Sequence, residues 1–189
     1  MDHGIVRLPP FQPRTTLLNV VIETSLGSTV KLKYDEETGV FRAHKAMPLG
    51  FCFPFNFGFV PGTVGGDGDP LDVLLLSSHS LVIGTVVSAQ IVAILEAEQI
   101  EAKVRKRNDR VIAVPWNTVS NTAMIPTIAL DVRLKRAITD FFREYNEVQG
   151  KRFAPLRFST GQRARQIIRQ SMNAGKKTTT PTRARPRKV

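Results

Sequence analysis

Residues Asp67-Gly68-Asp69-Pro70-Leu71-Asp72 place three carboxylates at the junction of a glycine-rich loop and an apolar run. Gly68 allows a tight backbone and Pro70 stiffens it, so Asp67 and Asp72 can converge as the loop doubles back. Carboxylates held together repel one another unless a cation neutralises them. A donor set of oxygens, with no Cys or His, favours Mg²⁺, Mn²⁺ or Ca²⁺. An EF-hand loop starting at Asp67 fails, because its sixth position is Asp72 rather than Gly and its twelfth is Ser78 rather than Glu. A solvated acidic turn with aspartate caps stands beside the metal reading as the plainer one.

The other residues with chemical potential are weaker signals on their own. Lys31 and Lys33 alternate with Val30, Leu32 and Tyr34, as a solvated strand face would. Lys45 and Arg110 alone would be surface charges, and Tyr145 sits on an apolar helical stripe. Cys52 is the sole cysteine, which excludes an internal disulfide and any zinc site built on several thiolates, and makes a reducing cytoplasm the expectation. His3, His44 and His79 show no metal-ligand spacing, and no role is assigned to them.

The elements that must position these residues follow from period and turn chemistry. Residues 19–25, 28–34 and 40–44 read as a strand followed by a hairpin, with turns at Gly27-Ser28 and 35–39. Phenylalanine at 51, 53, 55, 57 and 59 predicts a half-buried strand, confined to an edge or irregular place by Pro54. Residues 61–70 form a loop, 71–76 a buried strand, and 82–96 and 110–114 further strands, with the charged stretch 103–109 expected as a loop. From Leu130 the apolar period becomes helical and runs to Val148, with Gly150 as terminator. A second helix is expected around 162–173. The whole reads as a compact barrel or sandwich of short strands covered by a helix.

The 189 residues suffice for one domain with a core of its own. Hydrophobic residues make up 42% and charged residues 23%, a globular composition, and no apolar run approaches the ~18 residues a bilayer requires. The N-terminus lacks the apolar segment of a secretory signal. Residues 1–150 hold all 16 acids and 15 of the 27 bases, whereas 151–189 hold 12 bases and no acid. The net charge of +11 is therefore a property of the C-terminal part. The expected division is an N-terminal arm at 1–16, a domain at 17–174 and a basic disordered tail at 175–189. That tail makes, at most, nonspecific contact with polyanions.

In order along the chain, several motifs resemble family I soluble inorganic pyrophosphatases. Asp67-Gly68-Asp69-Pro70-Leu71-Asp72-Val73 matches the signature of that family. Val20-Val21-Ile22-Glu23 is similar to its early core strand, and Phe53 to Phe59 to its Y-P-x-N-Y-G-Y strand. Arg110 to Pro115 resembles its K-[LI]-[IV]-A-V-P strand, and Phe141 to Tyr145 its F-F-x-x-Y helix. The similarity spans roughly 17–153, within a divergent bacterial-type branch. It implies an α+β fold, a five-stranded OB-like β-barrel with flanking helices. It also implies Mg²⁺-dependent hydrolysis of pyrophosphate, with Mn²⁺ as the second candidate metal.

By that resemblance Asp67 and Asp72 hold metal and Asp69 is the base for the attacking water. Lys31, Lys45 and Arg110 hold phosphate oxygens, and Tyr145 donates a hydrogen bond to one. Departures accompany the match. Lys33 stands where a glutamate is usual, Lys45 where an arginine is, and Asn146 where a lysine is. The second acidic loop falls on Asn108 or its neighbour Asp109, and on Gln99 or its neighbour Glu98. Asn108 and Asp109 are thus alternative metal positions, separated by one residue of register. A homo-oligomer is expected. Two rivals remain: a relative that binds phosphate compounds with little hydrolysis, and a basic-tailed OB-like nucleic-acid-binding protein.

Overall fold

A computed structural model describes residues 4–117, 122–123 and 130–178. Twelve elements follow in order: β1 (Leu18–Thr24), β2 (Val30–Asp35), β3 (Val40–Ala46), β4 (Asn56–Phe59), β5 (Asp72–Leu75), β6 (Val86–Glu101), β7 (Val104–Arg107), β8 (Arg110–Asn117), β9 (Thr122–Ala123), α1 (Val132–Glu147), β10 (Arg152–Thr160) and α2 (Gly161–Thr178). The sheet runs β10-β6-β1-β4-β5-β8-β9, and β6 also pairs with β8. That extra pairing closes β6, β1, β4, β5 and β8 into a five-stranded ring, the expected OB-like barrel. All its pairs are antiparallel except β5–β8, which is parallel.

Strand alternation separates two apolar layers. Val20, Ile22, Val73, Leu75, Val111 and Ala113 join a cluster that fills the barrel, closed by Ala164, Ile167 and Ile168 of α2. Their sequence neighbours Leu74, Leu76, Ile112 and Val114 face the other way and pack with Ile138, Phe142 and Tyr145 of α1. Strands covered on both faces read as continuous apolar runs, which is why 73–76 and 111–114 carry no polar alternation. Helix α1 starts at Asp131, whose side chain accepts a hydrogen bond from the Leu134 amide at 2.8 Å. It ends before Gly150, which takes a φ of +68°.

Three expectations are corrected. The phenylalanine-rich segment is a strand only over Asn56–Phe59, because Pro54 withholds a ladder donor upstream. The stretch 103–109 is mostly strand: β7 pairs with the end of β6 across a tight turn at Ala102-Lys103. Both turn residues have positive φ, 45° and 69°, as the favoured two-residue hairpin turn requires. Strand β10, with Pro155 inside it, lies at the end of the sheet order, where a missing N–H is tolerated. Helix α2 continues to Thr178, past the boundary expected at 174, while residues 179–189 of the basic tail lie outside the described residues. Among the described residues no helix is long and apolar enough to cross a membrane.

The β2–β3 hairpin is a separate two-stranded sheet laid over β1 through Tyr34, Phe41, Val21 and Phe59. Glu23 is buried at this junction and accepts a hydrogen bond from the Tyr34 amide at 2.7 Å. Burial raises its pKa from 4.5 to about 7, although the bond from Tyr34 and the charge of Lys31 work against the shift. Between those two pH values the native chain keeps a proton that the unfolded chain has released. The associated stability is fully present below pH 4.5 and is lost as the pH rises through 7.

Two outcomes follow from these contacts. In the presence of chelator, Glu23→Gln should remove this slope and melt above wild type at pH 8. The difference should be on the order of 3 kcal/mol, at about 1.4 per pKa unit. Thermal melts at pH 5 and 8 test it, and parallel pH dependences in the two proteins would refute it. At Gly58 an added Cβ would stand 1.9 Å from the Val21 carbonyl oxygen, a backbone atom that cannot step aside. Gly58→Ala should therefore destabilise by about 3 kcal/mol or more, read as a fall in the urea midpoint.

Candidate active site

The acidic loop is built by its own backbone. The Gly65 amide donates to the Asp69 carbonyl at 2.7 Å, the Gly68 amide to the Gly65 carbonyl at 3.2 Å, and the Asp69 amide to Asp67 Oδ1 at 3.3 Å. Gly68 takes a φ of +98°, a conformation that side chains resist. Gly66 is pressed against Arg107, where a Cβ would come within 2.7 Å of that residue's own Cβ. Thr63 then receives the Leu71 amide at 3.0 Å and hands the chain to β5. Asp72 is the first residue of that strand.

These turns aim Asp67, Asp69 and Asp72 into a cavity of about 490 Å³. Burial raises the pKa of Asp67, and the charge of Asp72 adds to it. Burial likewise raises Asp72, with Arg110 and Lys31 pulling the other way. Two carboxylates that both resist ionisation in one place are the condition that a bound cation relieves. Among the described residues no three carboxylate, imidazole or thiol groups stand together as a ready metal cage. The pair Asp67 and Asp72 suits Mg²⁺, which is usually held by one or two carboxylates together with water and substrate phosphate oxygens.

Arg110 is the first residue of β8 and the register partner of Asp72 in the parallel pair. Its guanidinium is buried, 4.1 Å from the Phe142 ring centre and 4.8 Å from that of Phe153. It donates to the Asn108 carbonyl at 2.8 Å and stands 3.9 Å from Asp72. Burial lowers its pKa, and Asp72 and Asp67 oppose the shift. Its Nε is buried with no partner. Lys31 enters from β2 with its ammonium 5.0 Å from the Phe57 ring centre and 5.8 Å from that of Tyr145. Tyr145 lines the cavity from α1, stacked on Phe141 at 5.9 Å.

The structure therefore brings Asp67, Asp69, Asp72, Lys31, Arg110, Tyr145 and Asn108 to one cavity. Two expected residues are not part of its lining. Lys45 is opposite Lys31 in the hairpin register, but a bulge leaves His44 as the extra residue, and His44 lines the cavity instead. Asp109 turns away: its carboxylate receives the Ala97 amide at 3.0 Å and Arg107 Nε at 2.7 Å. It faces an adjoining cavity with Glu96, Arg107, Arg157 and Arg163. Of the two alternatives, Asn108 lines this cavity and Asp109 does not. Asn108 donates to Gln99 Oε1 at 3.1 Å, so two amides join where acids were expected.

Several lining residues carried no assignment from sequence. Glu23 closes an apolar strand run, and that lone acid among buried residues was the available signal. Lys33 binds Asp69 Oδ2 at 2.7 Å. Burial lowers the Lys33 pKa, but the bond to Asp69 and the surrounding acids outweigh it, leaving a net rise. Lys106 and Lys151 also line the cavity, the latter paired with Glu101 at 3.0 Å. Lys106 was hidden within a stretch read as a loop.

The comparisons with known proteins agree with this geometry. The family model described as inorganic pyrophosphatase matches residues 20–176. The inorganic pyrophosphatase of Saccharolobus solfataricus is 33% identical over 155 residues, covering 80% of this chain and 87% of the relative. That of Aeropyrum pernix is 30% identical over 177 residues, covering 89% and 96%. The crystal structure of the inorganic pyrophosphatase from Thermus thermophilus superposes with a TM-score of 0.77 at 26% identity, covering 91% of this chain and 98% of that one. The chain belongs to the inorganic pyrophosphatase family.

Proposed function

We propose that this cavity hydrolyses inorganic pyrophosphate to two phosphates, with Mg²⁺ held by Asp67 and Asp72. The observation that carries the reading is one enclosure in which an acidic loop faces Lys31 and the buried Arg110. The reaction breaks one P–O–P bond with one water and divides the charge between two phosphates. The metal supplies a water of lowered pKa and neutralises phosphoryl oxygens.

The chain's own residues do the rest. Arg110 has no mobility to lose, since two rings and the Asn108 carbonyl fix it, so its free donors are preorganised for a phosphate oxygen. Lys31 adds an ammonium whose only described contacts are ring faces. Tyr145 is held by stacking at the same wall and offers a hydroxyl donor. Asp69 is the more exposed partner of its ion pair with Lys33, in a position to take the proton of the attacking water.

The test is phosphate release from pyrophosphate by the purified full-length chain. Activity should vanish in chelator and return with Mg²⁺; undiminished hydrolysis after chelation would remove the metal from the reading. Asp72→Asn keeps the shape and removes a ligand charge. It should lower the rate by at least ~10²-fold while leaving the metal-free melting temperature nearly unchanged. A variant that melts early and keeps its rate would mean that Asp72 is a structural residue.

A further inference from the structure

The cavity has two unlike walls. One is the acidic loop with Asp67, Asp69 and Asp72. Facing it, the end of β6, β7 and the start of β8 present Gln99, Lys106 and Asn108. Gln99 and Asn108 bond to each other, and Glu101 at the end of β6 is paired with Lys151 at 3.0 Å, so among the described residues this wall offers no unpaired carboxylate to draw a second divalent ion. A diphosphate bound between the walls nevertheless carries negative charge at both ends.

Lys106 is the register partner of Gln99 in the β6–β7 pair and so shares its face of the hairpin. Among the described residues no partner occupies its ammonium. Lys33 enters from β2, with its ammonium held by Asp69 at 2.7 Å. We propose that Lys106 at the amide wall and Lys33 beside Asp69 bind diphosphate oxygens directly, so that ammonium groups rather than a second metal neutralise the part of the substrate beyond the Asp67 and Asp72 pair.

The inference rests on the pyrophosphatase reading and assigns it two further binding residues. It also gives the Lys33–Asp69 pair a part in the sequence of events. Phosphate oxygens compete with Asp69 for the lysine, and the released carboxylate is free to accept a proton. Before substrate arrives, the same bond keeps Asp69 from taking a metal ion as a third ligand.

The experiment uses the full-length chain and methylenediphosphonate, a diphosphate whose P–C–P bridge does not hydrolyse, followed by calorimetry at fixed Mg²⁺. Lys106→Met and Lys33→Met should each weaken binding about tenfold, as expected for one lost charge-assisted contact. Lys106→Arg should retain most of the affinity, which loss of shape alone would not explain. The salt dependence of binding should flatten in both Met variants.

Mn²⁺ titration by electron paramagnetic resonance, without the analogue, should count one more tightly held ion in the double variant Gln99→Asp/Asn108→Asp than in wild type. Unchanged analogue affinity in both Met variants overturns the proposal, as does a wild-type chain that holds as many ions as the double variant. Lysine-dependent binding without phosphate release from pyrophosphate would overturn the hydrolytic reading and keep this one. Hydrolysis with lysine-independent binding would do the reverse.

Discussion

Asp72 and Arg110 are neighbours because β5 and β8 run parallel and begin side by side. A hairpin turn cannot join parallel strands; the chain must cross over between them. Here the crossover is the 16-residue β6 followed by β7, and its far end forms the wall opposite the acidic loop. One register thus fixes the carboxylate, the guanidinium and the enclosure in which they meet. The rings of Phe142 and Phe153 extend the constraint to α1 and β10, since both pack on the same guanidinium.

A buried cation 3.9 Å from its carboxylate gains little directional bonding from it. What keeps Arg110 in place is aromatic surface and one backbone carbonyl, while part of its donor capacity stays unspent. The acids are in the converse state: Asp67 and Asp72 resist ionisation chiefly because of burial, to which the charge of Asp72 adds at Asp67. Both halves of the cavity are left electrostatically incomplete, as the proposed binding of a metal-bound anion would require. The neighbouring Glu96 shows the contrast. It is more fully shielded from solvent, but Arg107, Arg157 and Ser159 satisfy it, and its pKa falls to about 2: burial pushes upward, and the bonds from Arg157, Ser159 and Arg107 overcome it. That carboxylate has the partners of a structural brace.

Much of the barrel was legible because its strands obey local rules. Residues 20–22, 73–76 and 111–114 are apolar runs, and the α1 stripe follows the helical period. The acidic loop was legible through glycine and proline at fixed offsets. What escaped was decided by pairing at a distance. KVRKRND has the composition of a loop, yet β7 forms because β6 extends past the barrel and offers an open edge. Strand β10 likewise exists through β6, despite Pro155. The displacement of Lys45 turned on a single bulge, which no composition signals, and Asp109 was drawn away by an arginine two residues before it. Asn108 and Asp109 are neighbours in sequence, yet of the two only Asn108 lines the site, and hydrogen bonds with Gln99 on the one hand and with Ala97 and Arg107 on the other hold them in place.

The separation of the apolar interior into a layer within the barrel and a layer beneath α1 has an evolutionary consequence. Val73, Val111 and their fellows inside the ring are not part of the cavity lining, so their volumes can drift in compensating pairs without altering its surface. Phe53, Phe57, Phe142 and Phe153 have no such freedom, because Lys31 and Arg110 rest on those rings or on rings packed against them. Lineages of this fold should therefore diverge fastest in the layer that bears the fold and slowest in the layer that supports the cations. This inverts the usual expectation that the deepest residues change least.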